Sequence, residues 1–367
     1  MRKVEIGISV YPEFDDLKMI KAQVERAAKL GYTRLFTSMQ LNALGFENSH
    51  FDVKAFKELF EYAHSLNFMI HADINKEVFE SLGATITNVK GIKDLGVDVL
   101  RLDGGFGINE IIELTRNPYQ LIIEDNPFED EGTYEKAERI LDEGNPLNYR
   151  FCHNFFPRNN TGLDFEETES LSSYLNDLGY GVGIFITSQT SPAVLNPTGL
   201  GIPSIEDHRY LPPETAFSEL RNTDVYDVVF FGDSYPSHKD LEAVAAIASK
   251  DYVELDVWLN TELTDKQRTI ILETLHHNRL DHSKQVIRST QTRKRFEVPV
   301  STRLPRVKGM ITIDNVLSNR YEGELQIVIE DLEYSPVANF AGMVMPHCNR
   351  LLEQVKYKQV LFKLKER

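Results

Sequence analysis

The first 249 residues alternate between short runs rich in β-branched and aromatic side chains and longer segments whose apolar residues recur about every 3.6 positions. Eight runs read as strands: Val4–Ser9, Arg34–Met39, Phe68–Ile74, Val99–Gly104, Tyr119–Glu124, Tyr149–Phe155, Gly183–Ser188 and Asp227–Gly232. Helical patterns lie between them over Leu17–Leu30, Val53–Leu66, Gly107–Thr115, Thr133–Glu143, Phe165–Leu178, Glu214–Leu220 and Asp240–Ala248. Such alternation demands a parallel sheet covered by helices. Eight units in about 250 residues predict an α/β fold of the closed (β/α)8 TIM-barrel type rather than an open doubly wound sheet. No GxGxxG follows the first strand, so nothing favours a dinucleotide fold.

The pattern changes near residue 250. Strand-like runs at Tyr252–Leu259, Phe296–Val300, Met310–Ile313, Tyr321–Ile329 and Gln359–Leu364 surround one expected helix, Asp265–Asn278. Charge changes at the same place. Residues 1–249 carry 21 basic and 40 acidic side chains, a net of −19, whereas residues 250–367 carry 19 and 16, a net of +3. The expected organisation is a barrel domain over 1–249 followed by a small β-rich domain over 250–367.

The overall charge of −16 argues against nucleic acid, whose binding depends on neutralising phosphates. No apolar stretch reaches the roughly 18 residues of a membrane span. The start, Met1-Arg2-Lys3-Val4, runs directly into a strand pattern without a secretory signal, and the two cysteines, Cys152 and Cys348, form no disulfide framework. These features predict a cytoplasmic protein with reduced thiols.

In a barrel, function belongs to the C-terminal ends of the strands. The residues expected there are Glu13 after the first strand, Thr37, Ser38 and Gln40 after the second, and His71 and Asp73 on the third. Arg101 and Asp103 follow from the fourth, Glu124 from the fifth, His153, Asn154 and Arg158 from the sixth, and Asp233 from the eighth. Carboxylates on consecutive strands with amides between them suit a sugar site, because glycosidic cleavage generally uses two carboxyls around one bond. A metal centre built from His71, His153 and Asp73 is the competing chemistry, but the sequence has no HxH on its first strand and no HExxH. The loop after the seventh strand, Pro197 to Arg209, suggests a helix capped by Ser204, with Glu206, Asp207, His208 and Arg209 in its first turns and an anion at its start.

At these positions the chain resembles a known bacterial family. The matching motifs are Gly7-Ile8-Ser9 with Tyr11-Pro12-Glu13, Arg101-Leu102-Asp103, His153-Asn154-Phe155-Phe156-Pro157 and Thr161-Gly162-Leu163. Phe185-Ile186-Thr187-Ser188, Glu206-Asp207-His208-Arg209 and Gly232-Asp233-Ser234 continue the series. Arg288-Ser289-Thr290 and the run Tyr321 to Ile327 extend it into the second domain. The ordered set resembles the 6-phospho-N-acetylmuramidase family. That resemblance implies a TIM barrel followed by a cyclophilin-like β domain. It also implies hydrolysis of 6-phospho-N-acetylmuramyl-N-acetylglucosamine during recycling of cell-wall sugars.

The expected function is therefore that of a phosphoglycosidase needing no metal and no organic cofactor, with a phosphorylated amino-sugar disaccharide as partner and a homo-oligomer left open. Asp103 and Glu124 are the expected reacting pair, with Asp73 tuning or replacing one of them and Glu206 as a second candidate acid. Arg209, Arg158 and His208 are expected at the phosphate, and His153 with Asn154 at the sugar hydroxyls or acetamido group. Glu13, Arg101 and Asp233 complete the expected binding set. Two alternatives remain: a non-catalytic sugar-phosphate binding protein, and a phosphosugar barrel enzyme of another reaction class. A Schiff-base aldolase is disfavoured because none of the eight strand runs contains a lysine.

Overall fold

The computed structural model describes residues 2–45, 49–128, 132–190, 195, 200–358 and 360–367. The chain divides into two compact units, Met1–Ala248 and Ser249–Arg367. In the first, β1 (Glu5–Ser9), β2 (Arg34–Ser38), β3 (Met69–Ile74), β4 (Val99–Leu102), β5 (Ile122–Asp125), β6 (Tyr149–Cys152), β7 (Gly181–Ile186) and β8 (Val228–Phe231) pair in sequence order. All neighbours are parallel, and β8 closes on β1 through Val229 opposite Ile6.

Around the barrel run α1 (Leu17–Lys29), α2 (Val53–Ser65), α3 (Lys76–Ser81), α4 (Lys90–Leu95), α5 (Ile108–Thr115), α6 (Thr133–Glu143), α7 (Phe165–Asp177), α8 (Pro213–Arg221) and α9 (His238–Ala248). Several start on an acidic or amide side chain that accepts free backbone N–H groups: Asp16 before α1, Asp52 before α2, Asn75 before α3 and Asp164 before α7. Their inner faces repeat at helical spacing, as with Phe56, Leu59, Phe60 and Ala63 of α2, all buried. Each such large apolar side chain contributes about 1.5–3 kcal/mol by leaving water.

Three details differ from the sequence expectation. Helices α3 and α4 were not foreseen, because six residues are too few to establish a 3.6-residue period. Strand β5 begins at Ile122 rather than Tyr119, since the Asn117 side chain accepts from the N–H groups of Tyr119 and Leu121 and holds a turn with Gln120 at φ +56°. The segment after β7 forms only a short 3-10 turn, Glu206–Tyr210, preceded by Ile205. Ser204 does not cap it; its Oγ accepts the Phe185 N–H at 3.0 Å. Residues 197–199 of that loop lie outside the described residues.

The second unit is a six-stranded mixed sheet, ordered β10 (Val286–Ser289), β12 (Leu325–Val328), β11 (Met310–Asp314), β13 (Ala338–Val344), β9 (Val253–Leu259) and β14 (Phe362–Glu366). Only β9 and β14 pair in parallel. Helices α10 (Asp265–Glu273) and α11 (Asn349–Lys358) complete it. The expected strand Phe296–Val300 does not form: Val298 donates to the Glu322 side chain, and Pro299 has no N–H for a ladder. Strands β10 and β13 and helix α11 were not foreseen. Helix α10 stops at Glu273, earlier than Asn278, because the chain extends so that His276 pairs with Phe362. Of the run expected at Gln359–Leu364, Gln359 lies outside the described residues.

Inside the barrel the side chains alternate with those packed under the helices. On β3, Ile70, Ala72 and Ile74 join the helix-facing core, while the His71 ring lies 5.0 Å from Phe230 in the interior. Phe230 occupies its place because Gly7 on the neighbouring strand has no side chain: a Cβ there would sit 2.3 Å from the ring. Gly7→Ala should therefore destabilise the barrel by about 1–3 kcal/mol, measured by chemical unfolding. Unchanged stability would mean that the ring moves aside freely.

Candidate active site

Two carboxylates enter the barrel interior from adjacent parts of the sheet and meet different surroundings. Glu124 on β5 is wholly buried; it lies 3.1 Å from His71 Nδ1 and 2.9 Å from Arg150 Nε. Burial alone would raise its pKa, but His71, Arg150 and Arg101 outweigh that and hold the carboxyl at about 2. Burial lowers the pKa of His71 in turn, while its hydrogen bond and charge, and then the guanidiniums of Arg150 and Arg101, favour the ionised Glu124 carboxylate.

Asp73, two residues further along β3 than His71, lies at the mouth. It accepts from Gln40 Nε2 at 2.9 Å, from Ser38 Oγ at 3.3 Å and from Arg101 Nη1 at 3.3 Å. Desolvation dominates here: burial lifts Asp73 to about 7, with Arg101 pulling it down and Asp103 pushing it up. The same Gln40 nitrogen also donates to Asp103 Oδ2. Arg101 donates onward to the Cys152 carbonyl at 3.2 Å and to the Asn154 side chain. These residues border a cavity of about 180 Å³ whose other wall is apolar, formed by Phe36, Leu41, Leu44, Phe155, Phe185 and Leu195. A half-neutral acid, a second carboxylate beside it and a flanking apolar wall form a site for acid–base chemistry on a small polar substrate.

Two family models cover nearly the whole chain. The 6-phospho-N-acetylmuramidase N-terminal model matches residues 6–246, and the 6-phospho-N-acetylmuramidase C-terminal model matches residues 253–365. The chain belongs to the 6-phospho-N-acetylmuramidase family. Among solved structures, an uncharacterized B. cereus protein is 28% identical, with complete coverage of both chains and a TM-score of 0.86. A conserved Enterococcus faecalis protein of unknown function is 23% identical over 99% of this chain and 97% of its own, with a TM-score of 0.77, and shares the fold. No curated protein matches the chain.

In this member of the 6-phospho-N-acetylmuramidase family, the residues expected from sequence separate into three groups. Asp73, Asp103, Arg101 and Asn154 come together at the cavity. Glu124 does not: it belongs to the ion network with His71 and Arg150 and is not among the lining residues. Of the remainder, all but Arg158 serve the scaffold. Glu206 accepts from the N–H groups of Asn160 and Gly162 and pairs with Arg209, which holds it at about 2, too acidic to carry a proton at neutral pH. Arg209 is buried, and Nε, Nη1 and Nη2 all donate, to Glu206 and to the carbonyls of Phe156, Arg158 and Gly201. It clasps two loops rather than presenting a fork to a phosphate.

His208 is buried against Glu219 at 3.1 Å, and His153 against Ser172 on α7 at 2.7 Å. Burial lowers His153 to about 3, so it is a neutral packing residue facing the helix layer. Asp233 accepts from Thr187 Oγ1 and the Ser188 N–H, both at 2.7 Å, and burial raises it to about 6. Glu13 receives the Asn42 N–H and braces the loop after β2. Arg158 has an exposed side chain, one residue beyond Pro157 of the cavity wall. The metal alternative loses its geometry, since His71 and His153 are each committed to a different partner. Among the described residues, three metal-ligating groups do converge at Asp256, His347 and Cys348, but Arg367 already supplies Asp256 with a cation at 2.7 Å.

The residue that sequence reasoning placed at a strand end but did not select is Gln40. Its signal was position: a buried-length amide immediately after a strand whose neighbours end in acids.

The low pKa of Glu124 is also a stability statement. A carboxyl held at about 2 when folded and near 4.5 when unfolded stabilises the fold above pH 4.5, and loses that contribution as pH falls toward 2. Glu124→Gln should cost about 3 kcal/mol at pH 7 and progressively less toward pH 2, read from denaturant unfolding across pH. A deficit independent of pH would contradict the charge network.

Proposed function

We propose that this protein is a glycosidase that cleaves 6-phospho-N-acetylmuramyl-N-acetylglucosamine in the cytoplasm, where cell-wall sugars are recycled. The observation that carries the reading is Asp73: an acid near neutrality at a small cavity, accepting from the same Gln40 nitrogen that donates to a second carboxylate, Asp103. The family membership supports the phosphorylated amino sugar.

Asp73 is the general acid. Its proton passes to the glycosidic oxygen as the bond to C1 breaks, and burial supplies the proton at a pH where an exposed aspartate has none. Asp103 is the partner carboxylate and attacks C1 from the other side of the sugar. Water then releases the sugar while Asp73 recovers its proton. Both carboxylates contact one nitrogen, so their contacting oxygens are within about 6 Å, two hydrogen-bond lengths. That closeness suits a double displacement, which uses roughly 5–5.5 Å, better than direct attack by water across 6.5–9.5 Å. Arg101 stabilises the carboxylate left on Asp73. None of the eight barrel strands carries a lysine, which disfavours a Schiff-base reaction.

With Arg209 fully committed and His208 buried, the phosphate falls to Arg158. Arg158→Ala should raise KM for the phosphorylated disaccharide about tenfold and leave cleavage of the unphosphorylated one untouched, measured with the two substrates side by side. Equal effects on both would remove the phosphate from this position.

The acid role fixes the direction of the pH profile. Asp73 must be protonated to act, so kcat should fall as pH rises through about 7. Asp73→Asn should lower kcat about 10²–10⁴-fold and abolish that alkaline limb. Binding of the disaccharide without cleavage by the unaltered protein would replace the enzyme reading with that of a sugar-phosphate binding protein.

A further inference from the structure

Two motifs of the sequence have no part in the barrel, Arg288-Ser289-Thr290 and the run from Tyr321 to Ile327, and the second unit brings them together where β10 pairs with β12. Glu324, immediately before β12, has a side chain wholly shielded from solvent. Arg288 on the edge strand β10 meets it side-on: Nε donates to Oε1 at 2.7 Å and Nη2 to Oε2 at 3.3 Å. Arg293 reaches the same carboxylate from the loop after β10, with Nε donating to Oε2 at 2.6 Å and Nη2 to the same oxygen. That loop comes so close because residue 323 is glycine, at φ +85°; a Cβ there would lie 2.8 Å from the Thr292 carbonyl oxygen and 3.1 Å from the Lys294 nitrogen. Thr292 Oγ1 donates to the Gly323 carbonyl at 2.7 Å and fastens the loop in place.

One carboxylate therefore carries two guanidiniums, and each spends only one edge of its planar fork. In both, Nη1 donates to nothing among the described residues, and the side chains are 23% and 24% exposed, so these edges are open to solvent. The guanidiniums of Arg293 and of a third cation, Arg320, each lie 4.7 Å from the Tyr321 ring centroid. Arg320 Nη2 donates to the Tyr321 hydroxyl, whose own hydrogen has no acceptor among the described residues. That hydrogen bond, with the charges of Arg320, Arg288 and Arg293, holds the phenol below its usual range. The acids nearby are engaged: Glu324 by the two arginines, Glu322 by Lys294 at 2.8 Å and Asp281 by Arg279 at 2.6 Å. Asp314 is raised to about 6, by burial first and by Glu324 second.

Like charges gathered this closely repel one another, and a bound anion relieves the repulsion while accepting hydrogen bonds from the free edges. A planar carboxylate offers two oxygens. A phosphate group offers three acceptor oxygens and up to two negative charges, one oxygen for each Nη1 and one for the phenol. We propose that Arg288, Arg293 and Tyr321, with Arg320 beside them, form a phosphate-binding site on the second unit, its ligand a phosphate oxyanion either free or carried on a monoester. Buried Glu324 fixes both forks before the ligand arrives, so little side-chain freedom is lost on binding. The site depends neither on the chemistry of the barrel nor on the role of Arg158.

Inorganic phosphate and glucose 6-phosphate are the probes, titrated by calorimetry into the full chain at a constant ionic strength set with chloride. Arg158→Ala serves as the parent, so that the phosphate position assigned to the barrel does not contribute. It should bind one phosphate group per chain and prefer it to acetate by about tenfold or more. On that parent, Arg293→Ala should weaken binding about 10–100-fold, the loss of a charge-assisted hydrogen bond, while Glu324 keeps Arg288 as its bidentate partner. Tyr321→Phe, which retains the ring, should weaken it about threefold to tenfold. Similar affinity for both probes identifies a site for phosphate monoesters, and binding of inorganic phosphate alone identifies one for the free ion; either result supports the site. No saturable binding, acetate held as tightly as phosphate, or an affinity unmoved by both substitutions would overturn it.

Discussion

Arg101 is a guanidinium almost without access to water, in register with Asp73 on one neighbouring strand and Glu124 on the other. Moving such a charge from water is expensive, and it stays only because acceptors are gathered around it: Asp73, the Cys152 carbonyl and Asn154. Those acceptors come from β3 and from the end of β6 with the residues that follow it. The need to satisfy one cation therefore holds the mouth of the barrel in register, and it places Asp73 where burial and a single positive neighbour compete for its proton.

The contrast between Asp73 and Glu124 follows from that competition. Both carboxyls are interior, and both pay for desolvation. Glu124 sits between His71 and Arg150, with Arg101 acting at longer range, and is held ionised. Asp73 shares Arg101 with its surroundings and has Asp103 beside it, so the balance falls the other way. Two environments push two acids of one barrel apart by several units, and the one nearer the cavity is the one left able to exchange a proton near neutrality.

Much of this was legible in the chain. Eight strand signals survived translation into structure because period-based patterns are local, and the acids of the third and fourth strands reached the mouth because they end those strands. What escaped was depth and facing. Glu124 has the parity of an inward residue, yet its strand ends only one residue later at Asp125, and nothing in a sequence says how far below the rim that leaves it. His153 follows Cys152, whose side chain faces the interior, so alternation already turned it toward α7; adjacency to Asn154 obscured this. Glu206 and Arg209 are spaced to pair with each other across a helical turn, a local interaction that competes with any ligand and here wins. The second unit was harder, since β10 and β13 are defined by partners far away in the chain rather than by their own residues.

The electrostatics of the mouth also depend on residues that carry no charge. Phe36 meets Phe185 edge-on at 5.0 Å and Phe155 at 6.0 Å, and Phe185 stacks on Phe230 at 5.3 Å. These rings fill the interior beside Asp73 and exclude the water that would otherwise solvate its anion. Their contribution to folding is ordinary apolar burial, but the same burial is the first cause of the raised pKa of Asp73. Packing and proton affinity are thus one property of the aromatic layer. Loosening it would admit water, stabilise the carboxylate and lower the proton's residence on Asp73 even if no polar contact at the mouth changed.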